Sequence, residues 1–86
     1  MTNDYMVTVP TKKQGISVIA SFSTNGDIMP LYFQTVENEE KYSFRVKVIG
    51  KKENNVIYSF NCVYDHVGIE KHVCLNYWIR DHIWTL

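Results

Sequence analysis

The chain has 86 residues, 45% of them hydrophobic and 14% aromatic, which is one domain, residues 1–86, with material for a single core. Nine basic residues balance nine acidic ones. A net charge of zero argues against a dedicated duplex-DNA binder, whose affinity comes largely from phosphate neutralisation.

No apolar run approaches the ~20 residues of a membrane-spanning helix. The opening MTNDYMVTVP has neither the cationic nor the apolar region of a signal peptide. Two cysteines, Cys62 and Cys74, are too few for a disulfide scaffold. The expected location is therefore a reducing cytoplasm, with no membrane partner.

Period-two alternation dominates the chain and predicts half-buried strands. After a turn in PTKKQG, with Lys12 and Lys13, the run GISVIASF puts Ile16, Val18, Ala20 and Phe22 on one face. Asn25-Gly26 then predicts a two-residue type I′ turn, since both central residues need positive φ. That turn sets Ser23 opposite Ile28, Phe22 opposite Met29, Ala20 opposite Leu31 and Val18 opposite Phe33. In this register Ser21–Pro30 is a non-hydrogen-bonded pair, so Pro30 breaks no bond within the hairpin. It denies one to any strand on its other side, which predicts a sheet edge or, preferably, a bulge at a bend.

ENEEK reads as another short hairpin link. Next, YSFRVKVI places Tyr42, Phe44, Val46 and Val48 on one face and Ser43, Arg45 and Lys47 on the other. A turn in GKKENN, with Lys51 and Lys52, leads to VIYSFNCVY, which puts Val56, Tyr58, Phe60, Cys62 and Tyr64 inward. DHVG turns the chain again, with Tyr64 opposite Ile69, Phe60 opposite Val73 and Tyr58 opposite Leu75.

The last stretch, KHVCLNYWIRDHIWTL, has two readings. Val73, Leu75, Tyr77 and Ile79 alternate as in strands, while Leu75, Ile79, His82, Ile83 and Leu86 have helical spacing. Strands are preferred, because β-branched and aromatic residues dominate and no capping residue opens a helix. The expected fold is all-β: an antiparallel meander of six to seven short strands. It is expected to curl into a small barrel of SH3-like or OB-like size, or into a strongly bent sheet.

Chemistry-bearing residues are scattered. Cys62, His66, His72, Cys74 and His82 are zinc-type donors, yet no paired C-x2-C or H-x3-H clip is present. The expected register puts Cys62 and Cys74 on opposite faces, where they share neither an ion nor a disulfide. No serine sits on a nucleophile elbow, no glycine loop cradles phosphate, and Asp65 and Asp81 read as ordinary turn acids. The expectation is no enzyme, no cofactor and no metal.

Two binding readings remain. Arg45 and Lys47 share an outer strand face with Asn61 and Ser59 on a neighbouring strand and Tyr32 nearby, a cation-bordered aromatic platform of the kind that takes single-stranded nucleic acid. Against it, the nominally polar face also carries Ile19, Ile49, Ile57 and Val63, and Trp78 and Trp84 add apolar area near the C-terminus, more apolar surface than a wet face needs. That surface predicts self-association as a homodimer, or docking to another protein, and this reading is preferred. The layout from Phe22 to Trp84, with GDIMPLYF, YSFNC, VCLNYW and HIWTL, resembles small single-domain bacterial proteins of unknown function, chiefly from low-GC Gram-positive genomes and their mobile elements. The resemblance implies an uncharacterised cytoplasmic protein and brings no catalytic residues with it.

Overall fold

A computed structural model of the chain describes residues 15–86. The turn read over PTKKQG, with Lys12 and Lys13, falls outside them except for Gly15. Seven strands follow in order: β1 Ser17–Phe22, β2 Ile28–Glu37, β3 Glu40–Arg45, β4 Lys47–Glu53, β5 Ile57–His66, β6 Ile69–Trp78 and β7 Ile83–Thr85. The all-β antiparallel meander is present, and the C-terminal stretch is strand rather than helix. The strands form two sheets, β1-β2-β3 and β4-β5-β6-β7. Neither sheet closes into a barrel.

The sheets are joined at two places. β3 runs into β4 through Val46, whose N–H still donates to the Leu31 carbonyl at 2.9 Å. One residue later, Lys47 already pairs with Val63 on β5. At the other side, Ile16 makes an isolated antiparallel bridge to Trp84, its N–H donating to the Trp84 carbonyl at 2.9 Å.

The turn after β1 differs from the expected one. Ser23 N–H donates to Asp27 O at 2.8 Å and Gly26 N–H to Ser23 O at 3.0 Å. Only Gly26 takes a positive φ, 85°. This is a three-residue loop, a type I turn closed by a left-handed glycine. The Ser23 hydroxyl favours it by accepting from both Asn25 N–H (3.2 Å) and Asp27 N–H (3.1 Å).

The extra loop residue moves the near end of the hairpin by one place. Phe22 pairs with Ile28, Ser21 with Met29 and Ala20 with Pro30, in place of the expected pairs. A bulge at Leu31 then absorbs the extra residue, and Val18 meets Phe33 as the sequence predicts. The bulge also reverses parity, so Ile28 and Pro30 are buried while Met29 is exposed.

Proline fits at position 30 for a local reason. Ser23–Asp27 is hydrogen-bonded, so alternation makes Ala20–Pro30 a non-hydrogen-bonded pair. The proline nitrogen points away from β1, toward a side where the neighbouring chain has already left for β5. No ladder bond is lost, and the bulge beside it lets β2 bend.

The type I′ turns lie elsewhere. Asn38 and Glu39 have φ of 51° and 67° between paired Glu37 and Glu40. Val67 and Gly68 have φ of 54° and 77° between paired His66 and Ile69. This second turn is tighter than the one read from DHVG, so β5 and β6 pair two places further on: Phe60 opposite Leu75, Cys62 opposite Val73, Tyr58 opposite Tyr77. An even shift leaves every side chain on its expected face.

The core lies between the sheets. Phe60 and Leu75 are fully buried, joined by Ile28, Phe33, Val46, Cys62 and Trp84. Phe33 and Phe44 of the smaller sheet meet Tyr64 of the larger at ring-centroid distances of 5.0 and 4.9 Å. Phe60 packs on Trp84 at 5.7 Å. Phe22, Tyr42 and Val56, expected inside, also lie exposed, beyond the reach of this core.

Candidate functional site

Tyr32 and Arg45 are directly paired across β2 and β3 on the outer face of the smaller sheet. The Arg45 guanidinium carbon lies 5.8 Å from the Tyr32 ring centroid, and Nη1 donates to the Tyr32 hydroxyl at 3.4 Å. The arginine thus rests on the ring. Lys47 lies two residues on, past the junction at Val46, so the cations flank the point where the chain changes sheets. They line an open groove of about 350 Å³ with Val63, Tyr64, Asp65 and Glu70. Its charge is mixed, two cations with two carboxylates.

Asn61 stands apart from Tyr32 and Arg45. It lies on the outer face of β5, paired with Gly50 and Cys74, in a second groove of about 400 Å³ that also takes in Ile49 and His72. The expected binding face is therefore divided: Tyr32 and Arg45 on one sheet, Lys47 and Asn61 on the other.

The apolar set divides likewise. Ile57 and Trp78 are a cross-strand pair, both half-buried, with the Trp78 indole N–H donating to Thr85 Oγ1 at 2.9 Å. Val63 is half-buried further along β5. Ile19 belongs to the smaller sheet, opposite Tyr32, and is 62% exposed. Beside it on the same hairpin stand Phe22 and Met29, 66% and 49% exposed. Both are expected inside; Phe22 keeps its face but stands beyond the core, while Met29 is turned outward by the longer turn, for which the Ser23 hydroxyl is the available signal.

The two thiols have different environments. Cys62 is buried, its Sγ donating weakly to the Phe60 carbonyl at 3.6 Å, and burial pushes its pKa up to about 11, with the neighbouring Cys74 adding to the rise. Cys74 is exposed on the opposite face. Of the histidines, His66 packs edge-on against Phe44, His72 lines the outer groove, and His82 Nδ1 lies 3.0 Å from the Tyr77 hydroxyl. Among the described residues no group of three or more His, Cys, Asp or Glu side chains is placed to hold a metal ion. No helix among them is long and apolar enough to cross a membrane.

Compared with protein-family models, curated proteins and solved structures, the chain has no match in any of the three.

Proposed function

We propose that this chain is a small, non-catalytic protein-interaction domain of a reducing cytoplasm, associating with a second copy of itself or with another protein. The observation that carries the reading is the β1–β2 hairpin, where Ile19 and Phe22 leave more than half of their surface in water and Met29 nearly half. Burying such a side chain fully is worth about 1.5–3 kcal/mol, so a partner that covers the hairpin recovers free energy the isolated chain forgoes. The mixed charges around Arg45, Lys47, Asp65 and Glu70 suit the polar rim of a protein interface. On this reading the two sheets are halves of a small, incompletely closed barrel, hinged at Val46 and latched by the Ile16–Trp84 bridge.

Sedimentation velocity over a wide concentration range tests it. The expected result is a mass rising from 10.1 kDa toward twice that value, with Phe22→Asp shifting the protein back to monomer. A monomer at every concentration removes the self-association.

The Tyr32–Arg45 stack supports a second reading, single-stranded nucleic-acid binding on the outer face of the smaller sheet. Oligonucleotide affinity that falls steeply with salt, and falls again in Arg45→Ala, is its signature. No binding at ~50 mM salt, where electrostatic affinity is greatest, retires it.

A further inference from the structure

Each sheet edge carries a row of backbone groups, and the edges of this protein are unequal. β7 has only three residues, and its Trp84 is taken by Ile16; β3 carries Glu40, Lys41 and Arg45, and β4 carries Lys47, Lys51, Lys52 and Glu53. Such charges are the usual guard against edge-to-edge pairing. β1, reading SVIASF, has no charge, no proline and no bulge of its own. Because Ser23 N–H points toward β2, alternation directs the N–H and C=O of Val18, Ala20 and Phe22 away from it. The bridge at Ile16 lies on that same outer side and occupies only that position. Among the described residues no strand pairs with β1 there beyond Ile16.

We infer that the free edge of β1 takes β1 of a second copy, antiparallel, with the two-fold axis at Ala20. This rests on the self-association reading above and names its surface. In that register Ala20 meets Ala20 of the second copy, Val18 meets its Phe22 and Phe22 meets its Val18. All three are hydrogen-bonded pairs, so every outward N–H and C=O of Val18, Ala20 and Phe22 finds a partner. Sliding the strands by two residues would call on Ile16, which Trp84 already holds, in one direction and on Thr24, which lies in the turn, in the other.

Two-fold pairing sets a strand against itself, so a charged edge would face its own charges; an uncharged one meets none. Exposed Phe22 gains Val18 of the second copy as a neighbour on the inner face. Ile19 gains Ser21 of the second copy on the outer face. The product is a continuous sheet in the order β3-β2-β1-β1-β2-β3. A contact built on one short strand from each copy belongs with weak, concentration-dependent interfaces.

Cysteine pairing decides both surface and register. Ile19 and Ser21 of the second copy form a non-hydrogen-bonded pair, with Cα atoms about 4.5 Å apart, within the span a disulfide bridges. Both side chains are exposed, so substitution leaves the core intact. In a Cys74→Ser background, Ile19→Cys and Ser21→Cys chains are oxidised separately and mixed. The expected product is a covalent dimer of twice the chain mass from the mixture, absent from either variant alone. Cross-linking of Ile19→Cys with itself, or no cross-link in a protein that still sediments as a dimer, overturns the inference while leaving self-association standing. A monomer at every concentration overturns both.

Discussion

At the scale of single residues, position in the sheet sets behaviour that composition does not show. The two cysteines differ by one face of one sheet: Asn61 pairs with Cys74, and Cys62 with Val73. The buried thiol has its pKa raised from 9.0 to about 11, so it stays protonated where an unfolded chain would ionise. Deprotonation therefore favours the unfolded state, and this contribution to stability, complete below pH 9, is lost as the pH rises through about 11. Stability measured from pH 8 to 11 is expected to fall more steeply in the wild type than in Cys62→Val. A disulfide-exchange reagent at neutral pH is expected to modify Cys74 and spare Cys62 until the protein unfolds.

One turn residue and one core residue are similarly open to test. Val67 holds a φ of 54° at 85% exposure, a conformation that costs a β-branched residue about 1–2 kcal/mol and asparagine less. Val67→Asn is expected to stabilise the fold, by about 1 kcal/mol in chemical denaturation. In the core, Phe60→Ala is expected to cost about 3–5 kcal/mol, because a fully buried ring leaves a cavity.

At the scale of elements, alternation in the sequence located the strands and most of their inward residues, because each strand has one wet face and one dry one. The Val18–Phe33 pair, the opposite faces of Cys62 and Cys74, and the bulge beside Pro30 were all legible. What was not legible lay in the turns. The three-residue loop gains two hydrogen bonds to the Ser23 hydroxyl, and its extra residue turned Met29 to the surface and Ile28 inward. Asn38-Glu39 adopts the type I′ geometry that Asn25-Gly26 was expected to take, since pairing of the flanking strands outweighs the missing glycine. The candidate face was legible only as a list of residues. Its division between two sheets follows from the exchange of partners at Val46, which periodicity along a strand does not reveal. Gly26→Ala tests the turn directly: a Cβ at φ 85° is strained even with open space around it, and a loss of about 1–2 kcal/mol is expected.

At the scale of the whole molecule, two sheets share one apolar interior, sealed where Phe33 and Phe44 of one sheet meet Tyr64 of the other. The edge of β1 and the exposed hairpin matter for association only if that interior fixes where they stand. Nuclear Overhauser spectroscopy on the aromatic rings addresses this most directly, because no short path along the chain links Phe33 to Tyr64. Strong ring-to-ring cross-peaks are expected between Phe33 and Tyr64 and between Phe44 and Tyr64, matching centroid separations of 5.0 and 4.9 Å. Cross-peaks confined to Phe33–Phe44, with Tyr64 free in solvent, would contradict this packing.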